Sequence, residues 1–173
     1  MLLTLVTGLW ASVAARQGAV LADRAENEMQ AGELDAALSD IQAALHWQPH
    51  DPALWRQKSV SLGQLGFFRR GGTAMRQAVT AARTALANGG NDGRNAFVLG
   101  WALSDAEQLA EAVAAFQIST RLDPHNQSAL YALGRARERA GQRREAVQAY
   151  RAAWAVMPDT LIGDGLTRLG ATP

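Results

Sequence analysis

The chain has 173 residues, which is enough for one ordinary domain and few for two. Nearly half of the residues (48%) are apolar, alanine is abundant and β-branched residues are thinly spread, which is typical of a helical protein. The net charge of +1 gives no sign of a nucleic-acid-binding protein, and the absence of cysteine excludes disulfides, thiolate catalysis and cysteine-based zinc sites.

An apolar run at the amino terminus extends to Ala22, and its one charged residue is Arg16. A membrane-spanning helix needs about 20 predominantly apolar residues, so residues 1–22 are a candidate membrane span that continues into the first repeat helix. Two alternatives stay open: a signal peptide cleaved near Val13-Ala14-Ala15, and an amphipathic helix packed on the rest of the protein. We therefore treat residues 1–17 as a separate hydrophobic segment.

Residues 93–126 and 127–160 align with each other, which gives a period of 34 residues. The matched positions are Leu99 and Leu133, Gly100 and Gly134, Glu111 and Glu145, Ala112 and Ala146, Val113 and Val147, Phe116 and Tyr150, and Pro124 and Pro158. The small residues allow two helices to approach closely, and each proline ends the second helix. A period of this length predicts stacked pairs of antiparallel helices.

Two more units precede these. In residues 18–51 the same spacing recurs at Gly32, Ala37, Ile41, Ala44 and Pro49. Residues 52–92 are divergent, because Lys58-Ser59 replaces the Leu-Gly pair and the unit is seven residues longer than the others. Seven residues are about two helical turns. We expect longer helices there, with Gly71-Gly72 as the turn and Phe67-Phe68-Arg69-Arg70 packed in the longer helix. A second contact with a partner is the alternative for these four residues.

The repeat columns resemble those of tetratricopeptide repeats (TPRs), a helix–turn–helix family of this period. SALYALGRARERAGQRREAVQAYRAAWAVMPD and RNAFVLGWALSDAEQLAEAVAAFQISTRLDP carry the resemblance, apart from Glu107, where a turn glycine is usual. The resemblance implies an all-α, right-handed α-solenoid of about four TPR-type helix pairs over residues 18–160. We expect a hydrophobic helix before these pairs and a short capping helix with a tail in residues 161–173.

An apolar helix leading directly into repeats is also similar to the carboxy-terminal region of bacterial O-antigen ligase or polymerase-like membrane proteins. This resemblance implies that the chain is the TPR tail of a polytopic enzyme, although none of the catalytic loops of such enzymes is present. With the apolar amino terminus, it favours a membrane-associated protein of a bacterial cell envelope. A soluble cytoplasmic protein is the alternative.

Catalytic and cofactor motifs are missing from the sequence. His50 and His125 fall at joints between repeats, and His46 has no cysteine or convergent histidine beside it for a metal site. The glycine-rich stretch at residues 88–95 lacks the Lys-Ser/Thr pair of a phosphate-binding loop. We predict a non-enzymatic protein with no metal, no cofactor and no small-molecule substrate.

In stacked helix pairs the first helices line a concave groove, where such proteins bind extended peptides. The repeat register places in this groove Ala22, Arg56, Phe97 and Tyr131, then Glu26, Val60, Trp101 and Arg135, with Arg94 and Arg139 nearby. Tryptophan, tyrosine and arginine dominate binding hot spots. We therefore predict that a protein or peptide partner with acidic residues binds Arg56, Arg94, Phe97, Trp101, Tyr131, Arg135 and Arg139.

One alternative for the groove is that Phe97 and Trp101 only pack between helices. The carboxylate clamp of the TPR family, which grips chaperone tails, uses lysine and asparagine in columns that here hold Val60, Trp101 and Arg135. That particular function is therefore not implied by the resemblance.

Overall fold

The structure, a computed structural model, describes the backbone of residues 2–172 and the side chains from Ser12 onward. This part of the chain is all-α, with nine helices and no strand. The helices are α1 (Leu2–Ala31), α2 (Leu34–Trp47), α3 (Pro52–Arg69), α4 (Gly72–Gly89), α5 (Gly93–Asp105), α6 (Leu109–Leu122), α7 (Gln127–Arg139), α8 (Arg143–Val156) and α9 (Thr160–Arg168).

Consecutive helices pack as pairs: α1 with α2, α3 with α4, α5 with α6, and α7 with α8. The connection within each pair is short, so its two helices run antiparallel. The ninth helix packs on α8. The predicted all-α fold of about four helix pairs with a short carboxy-terminal helix is confirmed.

The chain divides into two compact units, residues 1–89 (unit 1) and residues 90–173 (unit 2). The core of unit 1 includes Ala25, Ala37, Ile41, Ala44, Leu45 and Leu54. Next to it, Arg24 on α1 donates two hydrogen bonds to the buried carboxylate of Asp40 on α2. This guanidinium holds the pKa of Asp40 below its usual range, against the effect of burial. A core cluster of unit 2 contains Leu130, Tyr150, Ala153, Ile162 and Leu166.

Helices that begin at a joint between pairs start with a capping side chain. The carboxylate or amide oxygen of the N-cap residue accepts a hydrogen bond from a backbone N–H of the first turn, at 2.7 to 3.0 Å. These N-cap residues are Asp51 for α3, Asp92 for α5, Asn126 for α7 and Asp159 for α9. Such a cap satisfies one of the free N–H groups at a helix start.

The divergent pair α3–α4 is longer than its neighbours in the chain: each helix contains 18 residues, whereas α5 to α8 contain 13 or 14. Its turn lies one position before the predicted Gly71-Gly72. Arg70 adopts the left-handed conformation (φ 48°), the amide of Gly71 donates to the Gly66 carbonyl oxygen at 3.0 Å, and Gly72 already begins α4.

The prediction that Phe67 and Phe68 pack in the longer helix is wrong. Both side chains are 74% exposed, and their rings contact each other edge-to-face, with centroids 5.8 Å apart. They lie in the last turn of α3, where the contact with α4 is made by Gly66 instead. A Cβ atom at Gly66 would lie 2.9 Å from Cγ of Met75, so a larger side chain would force Met75 to shift at that crossing.

No helix among the described residues combines the length and the hydropathy that crossing a membrane requires. The side chains of residues 1–11 lie outside those described. The predictions that residues 1–17 are a separate hydrophobic segment and that residues 1–22 span a membrane therefore stay predictions. Further along α1, Nε2 of Gln48 donates to the carbonyl oxygen of Ala15 at 3.0 Å. This hydrogen bond links α1 to the joint after α2.

Candidate peptide-binding face of unit 2

Helices α5 and α7 are the first helices of the two regular repeats, and a glycine sets how each packs on its partner. A Cβ atom at Gly100 would lie 2.6 Å from the Phe116 ring, and one at Gly134 would lie 2.6 Å from the Tyr150 ring. The aromatic ring of each second helix therefore lies directly against the backbone of the first. This contact fixes which side of α5 and of α7 remains outside.

Three aromatic side chains meet at α5. The rings of Phe97 and Trp101 contact each other and also Phe116, with centroid distances of 5.8 to 6.2 Å and edge-to-face geometry in all three contacts. Phe116 is buried, whereas Phe97 and Trp101 are partly exposed. The two predicted roles of Phe97 and Trp101 are thus compatible, because each ring packs on the core and leaves part of its surface to solvent.

Arg135 on α7 lies beside this cluster. Its guanidinium is 5.8 Å from the centroid of the Trp101 ring, within the range of a cation–π contact. The residue is exposed and makes no ion pair with any side chain that the structure describes. Arg135 thus presents its donors beside an aromatic surface.

Arg139 is already engaged within unit 2. Its guanidinium donates to the carbonyl oxygen of Ser104 at 3.1 Å and to the Ser104 hydroxyl oxygen at 2.6 Å. It also forms an ion pair with Glu107 at 2.8 Å. Ser104 lies in the last turn of α5, so Arg139 satisfies a carbonyl group at a helix end and links α7 to α5.

Arg94 turns back onto the start of its own helix. The carboxylate of Asp92 accepts from the Arg94 backbone N–H at 2.9 Å and from its guanidinium at 3.0 to 3.2 Å. Asp92 was not among the predicted site residues. An aspartate just before a helix is a known start signal, so the cap could have been predicted, but not its pairing with the arginine side chain.

Tyr131 on α7 contributes to a shallow cavity of about 140 Å³ in unit 2. The cavity is lined by Gln127, Ser128, Tyr131, Asp159, Leu161 and Ile162. The Tyr131 ring packs at 5.8 Å from the ring of the buried Tyr150 and is itself partly exposed. The side of α7 that carries Arg135 thus also carries an aromatic ring next to a depression large enough for a small side chain.

A second missed residue, Glu138, joins three helices. Its carboxylate accepts from Arg168 of α9 at 2.6 and 2.9 Å and from the Tyr150 hydroxyl of α8 at 2.7 Å. The hydrogen bond from Arg168 holds the pKa of Glu138 below its usual range. Burial and the neighbouring Glu138 raise the pKa of Tyr150, so its hydroxyl stays protonated as a donor.

The predicted site residue in unit 1, Arg56, lies on α3 and is half-buried. Ala22 and Val60, which share the predicted register with it, are also half-buried, and Glu26 is exposed. Within the described residues, no group of three or more histidine, aspartate or glutamate side chains is arranged to hold a metal ion. His46 instead packs edge-to-face on Trp47, with ring centroids 5.7 Å apart.

Comparison with solved structures identifies the class of fold. MamA superposes with a TM-score of 0.74 at 17% identity, over 90% of this chain and 84% of that one. A thermophilic TPR protein in Thermus thermophilus gives a TM-score of 0.70 at 19% identity, over 88% of this chain and 80% of that one. The first TPR of Spaghetti (RPAP3) was solved with the HSP90 peptide SRMEEVD. It gives a TM-score of 0.64 at 18% identity, over 73% of this chain and 94% of that one.

The chain therefore has the fold of the TPR α-solenoids, as the sequence predicts. No protein-family model matches the sequence, and no curated protein matches it. At these low identities the likeness to solved structures concerns the fold.

Proposed function

We propose that the protein is a non-catalytic interaction scaffold whose unit 2 binds an extended peptide segment along α5 and α7. One observation carries the proposal: the exposed guanidinium of Arg135 lies on the partly exposed ring of Trp101. Phe97 contacts the same tryptophan, and Tyr131 lies one turn before Arg135 on α7. Rigid aromatic surface next to a forked donor is the combination that dominates binding hot spots.

The chemistry of this face favours a segment that alternates acidic and apolar residues. Arg135 offers a planar fork of donors to a carboxylate, and the aromatic rings offer rigid apolar area to the neighbouring side chains. Arg94 and Arg139 are paired with Asp92 and Glu107. They belong to the proposed face, but Arg135 is the residue on which recognition of an acidic group depends most.

A peptide ligand also has support from a protein of the same fold. The first TPR of RPAP3 was solved with the HSP90 peptide SRMEEVD, which contains three acidic residues. The lysine and asparagine of the chaperone-tail clamp are replaced by Val60, Trp101 and Arg135 in this chain. We therefore propose a peptide of similar acidity and no specific chaperone tail. Arg56 remains a separate candidate contact on α3.

An array of seven-residue peptides tests the proposal. It should contain acidic and apolar residues in alternation, the same peptides with lysine in place of each acid, and scrambled versions. We expect wild-type protein to bind the acidic peptides and Arg135→Glu to lose them, because the substitution places a carboxylate on the Trp101 ring. Arg144→Glu is the matched control, since Arg144 is an exposed arginine on α8 of the same unit.

Equal binding of the acidic peptides by wild type, Arg135→Glu and Arg144→Glu would contradict the assignment of the face. Binding of the lysine-substituted peptides in preference to the acidic ones would contradict the proposed chemistry. Far-ultraviolet circular dichroism of each variant should be unchanged, because Arg135 is exposed.

Attachment of residues 1–22 to a bacterial membrane stays a separate part of the proposal, supported by the apolar run in the sequence. Fractionation of cells that express residues 1–173 is its test. Recovery of the chain in the supernatant, as a monomer without detergent, would remove the membrane attachment and favour the cytoplasmic alternative.

The resemblance to the tail of an O-antigen ligase or polymerase-like enzyme is the alternative function. Its test is the reading frame upstream of Met1. Further hydrophobic spans in frame would support an enzyme tail, and an in-frame stop codon followed by a ribosome-binding site would exclude it.

A further inference from the structure

Lys58 is the single lysine among 17 basic residues, and it occupies a column that holds leucine in the usual repeat. It lies on α3 in unit 1 and is half-buried. Its ammonium nitrogen donates to the side-chain oxygen of Gln42 on α2 at 2.7 Å and lies 5.1 Å from the centroid of the Trp55 ring. A long charged side chain thus takes the place of a core side chain.

Beside this ammonium is a cavity of about 230 Å³ between α3 and α4. The cavity is lined by Trp55, Lys58, Leu62, Gln77, Thr80 and Ala81. Most of the lining surface is apolar, and none of the residues that line it, apart from Lys58, can carry a charge. Gln42, which faces Lys58 from α2, is a neutral amide.

The positive charge of Lys58 therefore has no carboxylate partner among the residues that the structure describes. Burial lowers the pKa of Lys58, and no neighbouring charge opposes that effect. Partial burial of an ammonium without an anion disfavours its charged form, and an anion placed next to it favours that form. Gln42 accepts from one of the three ammonium donors, so two remain for a ligand.

We propose that this cavity binds a small carboxylate with an apolar body, its carboxylate on Lys58 and its apolar part against Leu62 and Ala81. Gln77 on α4 also lines the cavity, and its side-chain amide supplies a second donor for the carboxylate. The volume suits a molecule of a few carbon atoms, and the cavity lies in unit 1, whereas the proposed peptide-binding face lies in unit 2. The sequence analysis predicted no small-molecule substrate; this ligand is bound and not transformed.

The test uses hexanoate as the probe, with hexanol as the uncharged molecule of the same chain length, in nuclear magnetic resonance titrations of the full chain. We expect hexanoate to bind about tenfold more tightly than hexanol. A charge-assisted hydrogen bond contributes about the binding free energy that corresponds to this difference in affinity. Lys58→Met should remove this preference. Arg76→Met is the matched control, since it removes an exposed cation from α4 in the same unit.

A second readout follows the ammonium itself. Selective ¹³C-labelling of lysine leaves the ammonium unchanged and gives one lysine side-chain signal, because the chain has a single lysine. Its titration should show a pKa below that of an ordinary lysine, and bound hexanoate should raise it. Hexanoate affinity should stay constant from about pH 6, where the hexanoate carboxylate is ionised, up to this pKa, and it should fall as the pH rises further.

The proposal is overturned if hexanol binds as tightly as hexanoate, if Lys58→Met keeps the preference, or if hexanoate leaves the pKa of Lys58 unchanged. The last measurement is made on the wild-type sequence, so it decides the matter even if Lys58→Met does not fold. Capture of the acidic peptides at Lys58, with no binding of hexanoate, would also overturn it. None of these outcomes depends on the peptide-binding face of unit 2.

Discussion

Arg139 on α7 reaches the last turn of α5, where its guanidinium donates to both the carbonyl and the hydroxyl oxygen of Ser104. Ser104 is buried, and 34% of the Arg139 side chain is exposed. The arginine therefore stabilises the contact between two first helices of unit 2, in addition to any part it has in ligand binding.

Removal of this link should weaken unit 2. We expect Arg139→Ala to lower the free energy of unfolding by about 1 to 2 kcal/mol, because the buried oxygens of Ser104 lose a charged donor. Urea denaturation followed by circular dichroism measures the change. Arg144→Ala should change it by less than about 0.5 kcal/mol, as is usual at an exposed position. Equal effects of the two substitutions would show that the link contributes nothing.

Because Tyr150 packs directly on Gly134, even alanine in place of this glycine should destabilise the protein. In Gly134→Ala the new methyl group would meet the tyrosine ring at 2.6 Å. We expect a net loss of about 1 to 2 kcal/mol, because overpacking costs up to about 3 kcal/mol and helix propensity returns about 1 kcal/mol. Gly63→Ala in α3 is the matched control, because nothing lies within 4 Å of its added Cβ atom. Thermal denaturation should show a lower midpoint for the first variant and a higher one for the second.

Acidification should destabilise unit 2 through protonation of Glu138. Because its pKa is lowered in the folded state by Arg168, its contribution to stability is complete above the ordinary glutamate pKa and is lost as the pH falls through the lowered value. We expect Glu138→Gln to cost about 1 to 2 kcal/mol at neutral pH. This difference from wild type should shrink below about pH 4.

Urea denaturation of Glu138→Gln and wild type at several pH values measures this narrowing. Glu145→Gln, at an exposed carboxylate in the first turn of α8, is the control for the loss of one negative charge. A difference between Glu138→Gln and wild type that stays constant down to acidic pH would mean that the ion pair with Arg168 adds no stability.

The exposed aromatic pair at the end of α3 should be dispensable for folding. We expect the double substitution Phe67→Ser and Phe68→Ser to change the free energy of unfolding by less than about 0.5 kcal/mol, since neither ring packs on the core. Chemical denaturation tests this directly. A large loss of stability would show that these rings are covered in solution.

The helix pairs and their crossing points follow from the sequence because they repeat. Gly100 and Gly134 recur at the period, as do Phe116 and Tyr150, and the structure brings each glycine into contact with the ring of its own repeat. The contact is made in both regular repeats, so its residue types recur at the period and can be recognised without a structure.

The polar pairings could not be predicted in the same way. Arg139 pairs with Glu107 and Arg94 with Asp92, and neither pair recurs at the period of the repeat. Which carboxylate an arginine selects depends on side-chain rotamers and on neighbouring helices, for which the sequence carries no periodic signal. Lys58 is similar: its substitution in the leucine column is visible in the sequence, but the cavity beside it is not.

The capping residues at the joints make the helix pairs suitable for removal or grafting in protein engineering. Each first helix after α1 begins with its own aspartate or asparagine, whereas the second helices that begin after Glu33, Gln108 and Gln142 have no side-chain cap. A chain shortened to start just before Asp92 would keep the hydrogen bond that begins α5. The joints are therefore the places where a pair can be removed or grafted without exposing an unsatisfied helix start.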